Sequence, residues 1–261
     1  MAKVDIVIRA LNGSSMTKDC VESLAQTVCS HRVILVQSGS DLYKDMADVD
    51  IVSRTPMGAV SATNLGLSSS LTFSDSEYVM VMDNDTEVPL GDDGWLDRMI
   101  AELEQYPDTA AVGATTDSAN PPQHILTVPQ TYTGDWGDNE KGGVKDNYQS
   151  PVFVSFCVLM KKSAVREVGL WDTRYDPGNF EDTDYALQLR IAGYKVRVAR
   201  SVYVHHKCHK TFGDNLSKLM NANQRKFVSK WGLGRLWDLG IVPDKEIAIG
   251  AGRRAGIVKE D

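Results

Sequence analysis

The residues best suited to chemistry are two carboxylates one position apart. Asp83-Asn84-Asp85 follows directly on Glu77-Tyr78-Val79-Met80-Val81-Met82, an almost wholly apolar run of the kind that forms a buried central strand. In open α/β sheets ligands bind beyond the carboxyl ends of strands. Two carboxylates there can present oxygens to a hard divalent cation, which in turn neutralises diphosphate oxygens. The same residues also suit an Asx turn whose side chains satisfy local backbone groups. A second set of acids, Glu181, Asp182 and Asp184, crowds the first turn of an expected helix. Carboxylates at that position complement free N–H groups and the helix dipole; one of them can also act as general base, taking the proton from an attacking hydroxyl. His205, His206 and His209 cluster after an expected strand, where imidazoles near acids suit metal binding. Because strand side chains alternate, His205 and His206 cannot both face one site.

The elements that must position these groups alternate in type. Val4 to Arg9 reads as a strand, Asn12 to Ser15 as a loop capping a helix through about Thr27, and Arg32 to Val36 as a second strand ending at Ser38-Gly39-Ser40. A short strand at Asp50 to Val52, a helix around Val60 to Leu67 and the apolar strand before Asp83 follow. A helix from Trp95 to Tyr106 is stopped by Pro107, and Ala110 to Gly113 returns as a strand. Strands alternating with helices imply parallel pairing and right-handed crossovers, the beginning of a Rossmann-like nucleotide-binding half. From about Thr115 to Ser150 the chain turns rich in Gly, Pro, Asp and Asn and carries Tyr132, Trp136 and Tyr148. A stretch this long reads as an acceptor-binding loop whose scattered aromatics suit sugar faces, or as a surface loop with satellite packing. Further on, the pattern predicts a strand from Pro151 to Met160, helices at Ser163 to Val168 and Phe180 to Ala192, a strand from Lys195 to Val204, and an amphipathic helix from Asn215 to Trp231. Beyond Gly240 the signal fades.

Composition narrows the class. A chain of 261 residues, 42% hydrophobic and 24% charged, suits one globular α/β domain with a sizeable core. Its net charge of -7 disfavours nonspecific attraction to nucleic acid or anionic membrane. No stretch approaches the roughly 20 uninterrupted apolar residues of a membrane span, and Asp5 stands where a signal peptide would be apolar, so a cytoplasmic location is expected. Cys20, Cys29, Cys157 and Cys208 show no paired spacing and are expected to be reduced thiols.

Taken in order, these residues resemble the family 2 glycosyltransferases of the GT-A fold, in particular their rhamnosyltransferase-like branch. The matching pieces are Val4 to Ile8, Gly58 to Gly66 with Asn64, Val81 to Thr86, Gly169-Leu170-Trp171-Asp172, Phe180 to Asp184, Ala192-Gly193-Tyr194, His206 with Thr211-Phe212, and Lys230-Trp231-Gly232. The resemblance implies a Rossmann-like mixed sheet flanked by helices in a single domain. Its nucleotide-binding half would span about residues 1–114 and its acceptor-binding half about 115–240, with residues 241–261 as a tail. It further implies an inverting, metal-dependent transfer of a sugar from a nucleotide-sugar (NDP-sugar) donor to an acceptor hydroxyl. Asp83 and Asp85 would hold Mn²⁺ or Mg²⁺ on the donor diphosphate, with His206, or failing that His205, completing the site. Asp182 would be the base and Glu181 would shape the acceptor site. Arg9, Asn12, Gln37, Ser38, Asn64, Asp83 and Asn84 are the expected donor contacts.

Two departures stand out. The family usually carries an Asp after its second strand, in a motif that helps read the nucleotide base, whereas this chain has Gln37. At the first strand end, Arg9-Ala10-Leu11-Asn12 replaces a commoner Asn-Tyr-Asn type sequence, leaving Arg9 to reach a phosphate or to pair with an acid such as Asp41. A nucleotidyltransferase is the rival enzyme, but Ala10-Leu11-Asn12-Gly13 lacks the Gly-rich basic loop such enzymes carry. A non-catalytic nucleotide-sugar-binding module is the rival from the binding class, and the intact Glu181-Asp182 pair argues against it. The acceptor stays open among a glycan, a lipid-linked sugar, a protein and a modified nucleic acid.

Overall fold

A computed structural model describes residues 2–11, 15–39, 45–119, 123–124, 148–207, 215–239 and 241. Eight strands form one mixed sheet: β1 (Val4–Leu11), β2 (His31–Ser38), β3 (Val49–Ser53), β4 (Tyr78–Asp83), β6 (Thr109–Thr115), β7 (Tyr148–Ser150), β8 (Cys157–Lys161) and β9 (Lys195–Tyr203). Two-residue strands β5 (Thr86–Glu87) and β10 (His205–His206) pair separately. The large sheet runs in the order β3-β2-β1-β4-β8-β6-β9-β7. The β1, β2, β3 and β4 pairings are parallel, as alternation of strand and helix requires, whereas β8 enters antiparallel between β4 and β6. The helices are α1 (Ser15–Ser23), α2 (Ala59–Phe73), α3 (Trp95–Gln105), α4 (Lys162–Val168), α5 (Glu181–Ile191), α6 (Leu216–Trp231) and α7 (Leu233–Asp238).

The alternation of β1 shows how the layers are assembled. Ile6, Ile8 and Ala10 face the core that α1 and α3 complete with Cys20, Trp95, Met99 and Leu103. Asp5, Val7 and Arg9 point the other way, onto α2. Asp5 accepts from Ser70 Oγ at 2.5 Å, and Arg9 Nη1 donates to Thr63 Oγ1 at 3.2 Å. Between them a Cβ on Gly66 would lie 2.2 Å from Val7 Cγ1, so only glycine lets α2 lie this close. The second core continues on that face through α4, α5 and α6.

The expected strand from Pro151 to Met160 forms only from Cys157. Before it, the backbone is held by side chains instead of a ladder: Val152 N donates to Ser150 Oγ, Val154 N to Gln123 Oε1, and Ser155 N to Asp182 Oδ2. The first helix is shorter than expected, ending at Ser23 and followed by a 3-10 turn at Leu24–Gln26. Helix α7 and strands β5 and β10 lie beyond what periodicity predicts, being too short to carry a period.

The amino-terminal end of β1 holds a buried charge network. Asp5 has no exposed surface; it accepts from Ser70, Ser74 and Ser76, pairs with Arg32 at 3.0 Å, and lies 3.5 Å from Lys162 Nζ. Burial pushes its carboxyl up, but the three serine hydroxyls and Arg32 outweigh it and hold it below the usual range. Replacing Asp5 with Ala leaves buried Lys162 without its counter-charge, and an expected loss of about 3–5 kcal/mol follows. Because the folded carboxyl is depressed, its contribution is present above the ordinary Asp value of about 3.9 and fades as pH falls below it. Urea unfolding of Asp5→Ala at neutral pH checks the point; a loss under ~1 kcal/mol would show the network to be energetically idle.

Candidate active site

The carboxyl ends of β1 and β4 deliver Arg9 and Asp83 side by side, in register across the parallel pair. Just past β4, strand β5 pairs with β10 so that Thr86 lies opposite His206, and Lys207 N donates to Asp85 O at 2.9 Å. This two-strand clip carries His206 across more than a hundred residues to the acids. His206 Nε2 lies 3.4 Å from Asp85 Oδ1 and 4.0 Å from Asp83 Oδ2, and one ligand atom from each of the three falls within 4.8 Å of the others. The imidazole stacks on buried Phe156, ring centroids 5.1 Å apart, which fixes its plane. Burial pulls His206 down, yet the hydrogen bond to Asp85 and the charges of Asp83 and Asp85 hold it above its ordinary value. Two carboxylates and one imidazole at this spacing suit a divalent cation of the Mn²⁺ or Mg²⁺ kind, with open positions left for oxygen ligands. His205 turns away: its Nδ1 lies 3.0 Å from the Tyr203 hydroxyl, and it takes no place in the cluster.

Among the described residues, Arg9 pairs with Asp83. Its Nε donates to Asp83 Oδ1 at 2.9 Å, Nη2 also donates to that oxygen, and Nη2 reaches Ser155 Oγ at 3.2 Å. The guanidinium is buried, and its charge also stabilises Glu181 and Asp182. Those two acids open α5 and line the same cleft of about 600 Å³ as Asp83, Asp85 and His206. Glu181 is buried, and among the described residues its Oε2 has no hydrogen-bond partner. Burial and the neighbouring Asp182 push its carboxyl up to about 8, against the opposing pull of Arg9. Asp182 is half-buried; burial raises it too, while N–H groups of Thr183 and Ser155 partly offset the rise. Asp184 is spent elsewhere, accepting from Tyr175, Gln188, Lys230 and Trp231.

The expected donor contacts divide. Arg9, Ser38, Asp83 and Asn84 line the cleft, although the Asn84 amide donates to Thr17 and Ser38 Oγ is engaged with the Met57 backbone. Gln37 is buried, 3.4 Å from Asp50, and does not line the cleft. Asn64 does not reach it either: both ends of its amide bind the backbone of Trp171, tying α2 to the Gly169 to Asp172 motif. Asn12, Asp41, Tyr132, Trp136, Cys208, His209, Thr211 and Phe212 lie outside the described residues, as does the tail from 242. Sequence pattern does not single out Ser155, Thr63 and Gln123, which hold Arg9 and the 151–156 segment. Nor does it single out Asp176 and Asn223, which grip the loop before α5. The available signals are Pro177-Gly178-Asn179 as a turn ahead of the acids, and Asn223 as a polar intruder between Met220 and Phe227 on the apolar stripe of α6.

Residues 5–169 match the family described as Glycosyl transferase family 2. The chain belongs to that family. Among solved structures it resembles GalNAc-T7 with UDP, GalNAc and Mn²⁺, at a TM-score of 0.65 and 14% identity over 88% of this chain and 48% of that one. It also resembles the mannosyltransferase PcManGT from Pyrobaculum calidifontis in complex with GDP-Man and Mn²⁺, at 0.62 and 16% over 98% and 76%. The chain thus spans about half the length of the first relative and three quarters of the second. No curated protein sequence matches it. The family 2 chain has the GT-A architecture of these glycosyltransferases, a mixed sheet flanked by helices in one domain. Among the described residues, no helix is long and apolar enough to cross a membrane.

Because Glu181 is raised from an ordinary 4.5 to about 8, the folded state is stabilised by its protonated form. That stability is complete below the ordinary value and is lost as pH climbs through 8. Glu181→Gln keeps the neutral shape, so its urea midpoint without added metal should exceed that of the wild type at about pH 8.5 and converge with it near pH 4. A gap independent of pH would refute the buried-proton assignment.

Proposed function

We propose that this family 2 chain is an inverting, metal-dependent glycosyltransferase that moves a hexose-type sugar from an NDP-sugar to an acceptor hydroxyl, placed by its motifs in the rhamnosyltransferase-like branch. What carries the reading is the meeting, in one cleft, of a cation-binding triad and a raised carboxylate pair. Asp83, Asp85 and His206 would hold Mn²⁺ or Mg²⁺, which when bound supplies positive charge to the diphosphate as it departs. Mn²⁺ in both similar structures supports that choice of ion. Arg9 orients Asp83 through the hydrogen bonds of its Nε and Nη2. Asp182, facing the cleft, accepts the acceptor's hydroxyl proton while the new bond from that oxygen to the anomeric carbon forms and the bond to diphosphate oxygen breaks on the opposite face. Raising a carboxylate towards neutral pH strengthens it as a base without preventing its ionisation. Glu181, buried beside it, borders the acceptor position.

The nucleotide-binding half is assigned to about residues 1–114, the acceptor-binding half to about 115–240 and a tail to 241–261. The site of action is assigned to the cytoplasm, and the acceptor to a glycan, lipid-linked sugar, protein or modified nucleic acid. UDP and GDP sugars form the first donor panel to screen, by Mn²⁺-dependent thermal stabilisation.

Two substitutions separate the halves of the mechanism. Asp85→Ala should weaken Mn²⁺ binding, followed by electron paramagnetic resonance, by at least ~10-fold; unchanged binding removes Asp85 from the cation site. Asp182→Asn should lower turnover by about 10²- to 10⁴-fold while donor affinity stays within about twofold. Turnover that survives this change would place the base on another residue.

A further inference from the structure

The Glu181-Asp182 pair sits on a backbone that this sequence would not adopt unaided. Gly178, Asn179 and Phe180, the three residues before it, all have positive φ, at 152°, 72° and 74°. For residues with a Cβ that region costs of order 1 kcal/mol or more each, and it persists only where surrounding structure over-determines it. Two elements grip the segment. On one side the amino terminus of α2 takes the Asp176 carboxylate at Val60 N and Ser61 N, 3.0 and 3.2 Å, and Ala59 N donates to Pro177 O at 3.0 Å. A Cβ on Gly58 would lie 2.1 Å from Asp176 Oδ1, so this contact admits no side chain.

On the other side is Asn223, a fully buried amide in the middle of α6. Its Nδ2 donates to three carbonyls that converge on it, Tyr175 O at 2.9 Å, Gly178 O at 2.8 Å and Asn179 O at 3.0 Å, and its Oδ1 accepts from Lys226 Nζ at 2.8 Å. One turn later Phe227 packs against Phe180, ring centroids 5.5 Å apart, and in the following turn Lys230 and Trp231 each reach Asp184 at 2.7 Å. The same face of α6 therefore grips the chain before, at and after the acid pair. In turn, the first α5 hydrogen bond, Asp184 N to Phe180 O at 2.9 Å, fixes where Asp182 emerges.

We propose that Asn223 is a positioning residue for the transfer reaction: by gathering the Tyr175, Gly178 and Asn179 carbonyls it holds the left-handed segment that aims Asp182 into the cleft. It acts on the proton-transfer step and leaves the Asp83, Asp85 and His206 cluster untouched. This role rests on Asp182 as the proton acceptor, as proposed above. A buried amide that donates to loop carbonyls also contributes stability, although Tyr175 O keeps the Gly178 N–H as a donor, so the test must separate aim from mere integrity.

Three proteins are compared: wild type, Asn223→Ala, and Leu103→Ala, a core deletion in α3 on the opposite face of the sheet that costs comparable stability. Turnover is read as nucleotide release with Mn²⁺ from UDP-glucose, UDP-N-acetylgalactosamine or GDP-mannose, and affinity as binding of UDP or GDP with Mn²⁺. The surroundings of Asp182, which change if it is re-aimed, are read from its carboxyl titration by ¹³C NMR, its signal assigned by absence in Asp182→Asn. Asn223→Ala should lower kcat by about 10- to 100-fold with nucleotide affinity within about twofold, and should shift the Asp182 titration. Leu103→Ala should leave both unchanged.

Unchanged kcat in folded Asn223→Ala, an equal fall in Leu103→Ala, or an unmoved Asp182 titration each overturns the proposal. Should the alanine variant not fold, Asn223→Ser, which retains one donor, is read by the same criteria; if neither folds, Asn223 serves general stability and the proposal fails. A wild type that releases nucleotide from none of the three sugars counts against the transferase reading, and the titration then decides the role of Asn223 on its own.

Discussion

A buried guanidinium among carboxylates is the constraint from which the site is organised. Asp83, Glu181 and Asp182 approach one another at the carboxyl end of the sheet, and without a cation between them their mutual repulsion would push Glu181 and Asp182 up further or drive the loops apart. Arg9 supplies that charge from near the end of β1, donating to Asp83 and Ser155 and facing the acid pair. It is fixed in turn by Thr63 on α2. One side chain thus joins the Asp83, Asp85 and His206 end of the cleft to the Glu181 and Asp182 end, and the geometry of either end depends on it.

The same logic recurs at the far end of β1, where Asp5 and Lys162 are buried together and the Asp5 carboxylate is matched by serine hydroxyls and Arg32. Strand β1 therefore carries a compensated charge at each end of its α2-facing side, with Val7 against Gly66 between them. Any shift of α2 along β1 would break both polar contacts at once. The register is specified by pairing as well as by apolar packing, which is why the site-bearing end stays in place.

Beyond the strands, the acid pair is governed from helix α6, outside the residues that match the family. Much of the polar inventory around the start of α5 is spent on placement: Asn223 on loop carbonyls, Asp184 on Lys230 and Trp231, Asp176 on the α2 amino terminus. The resulting first turn of α5 offers Glu181 and Asp182 to the cleft while Asp184, two residues on, is turned into the packing. Three acids that look interchangeable along the chain are given different environments, and burial raises the proton affinity of the two that face the cleft.

Much of this is legible in the sequence. The apolar run ending in Asp83-Asn84-Asp85 marks a central strand and the edge where ligands bind, because a strand buried on both faces must be apolar throughout and its end must expose whatever follows. Alternation with helices marks the parallel half, and strand parity rules that only one of His205 and His206 can serve. What the tertiary structure alone decided concerns partners distant along the chain. The pairing of β5 with β10 selected His206, a two-residue ladder having no period to read. Arg9 found Asp83 across the parallel register, where the sequence leaves a phosphate and a loop acid equally open. Asn64 and Gln37, expected at the donor, are absorbed by the Trp171 backbone and by Asp50, because a polar residue's partner is set by what the fold brings within about 3 Å, not by its neighbours in sequence. Asn223 carries little signal beyond interrupting an apolar stripe, since its three acceptors belong to a loop more than forty residues earlier.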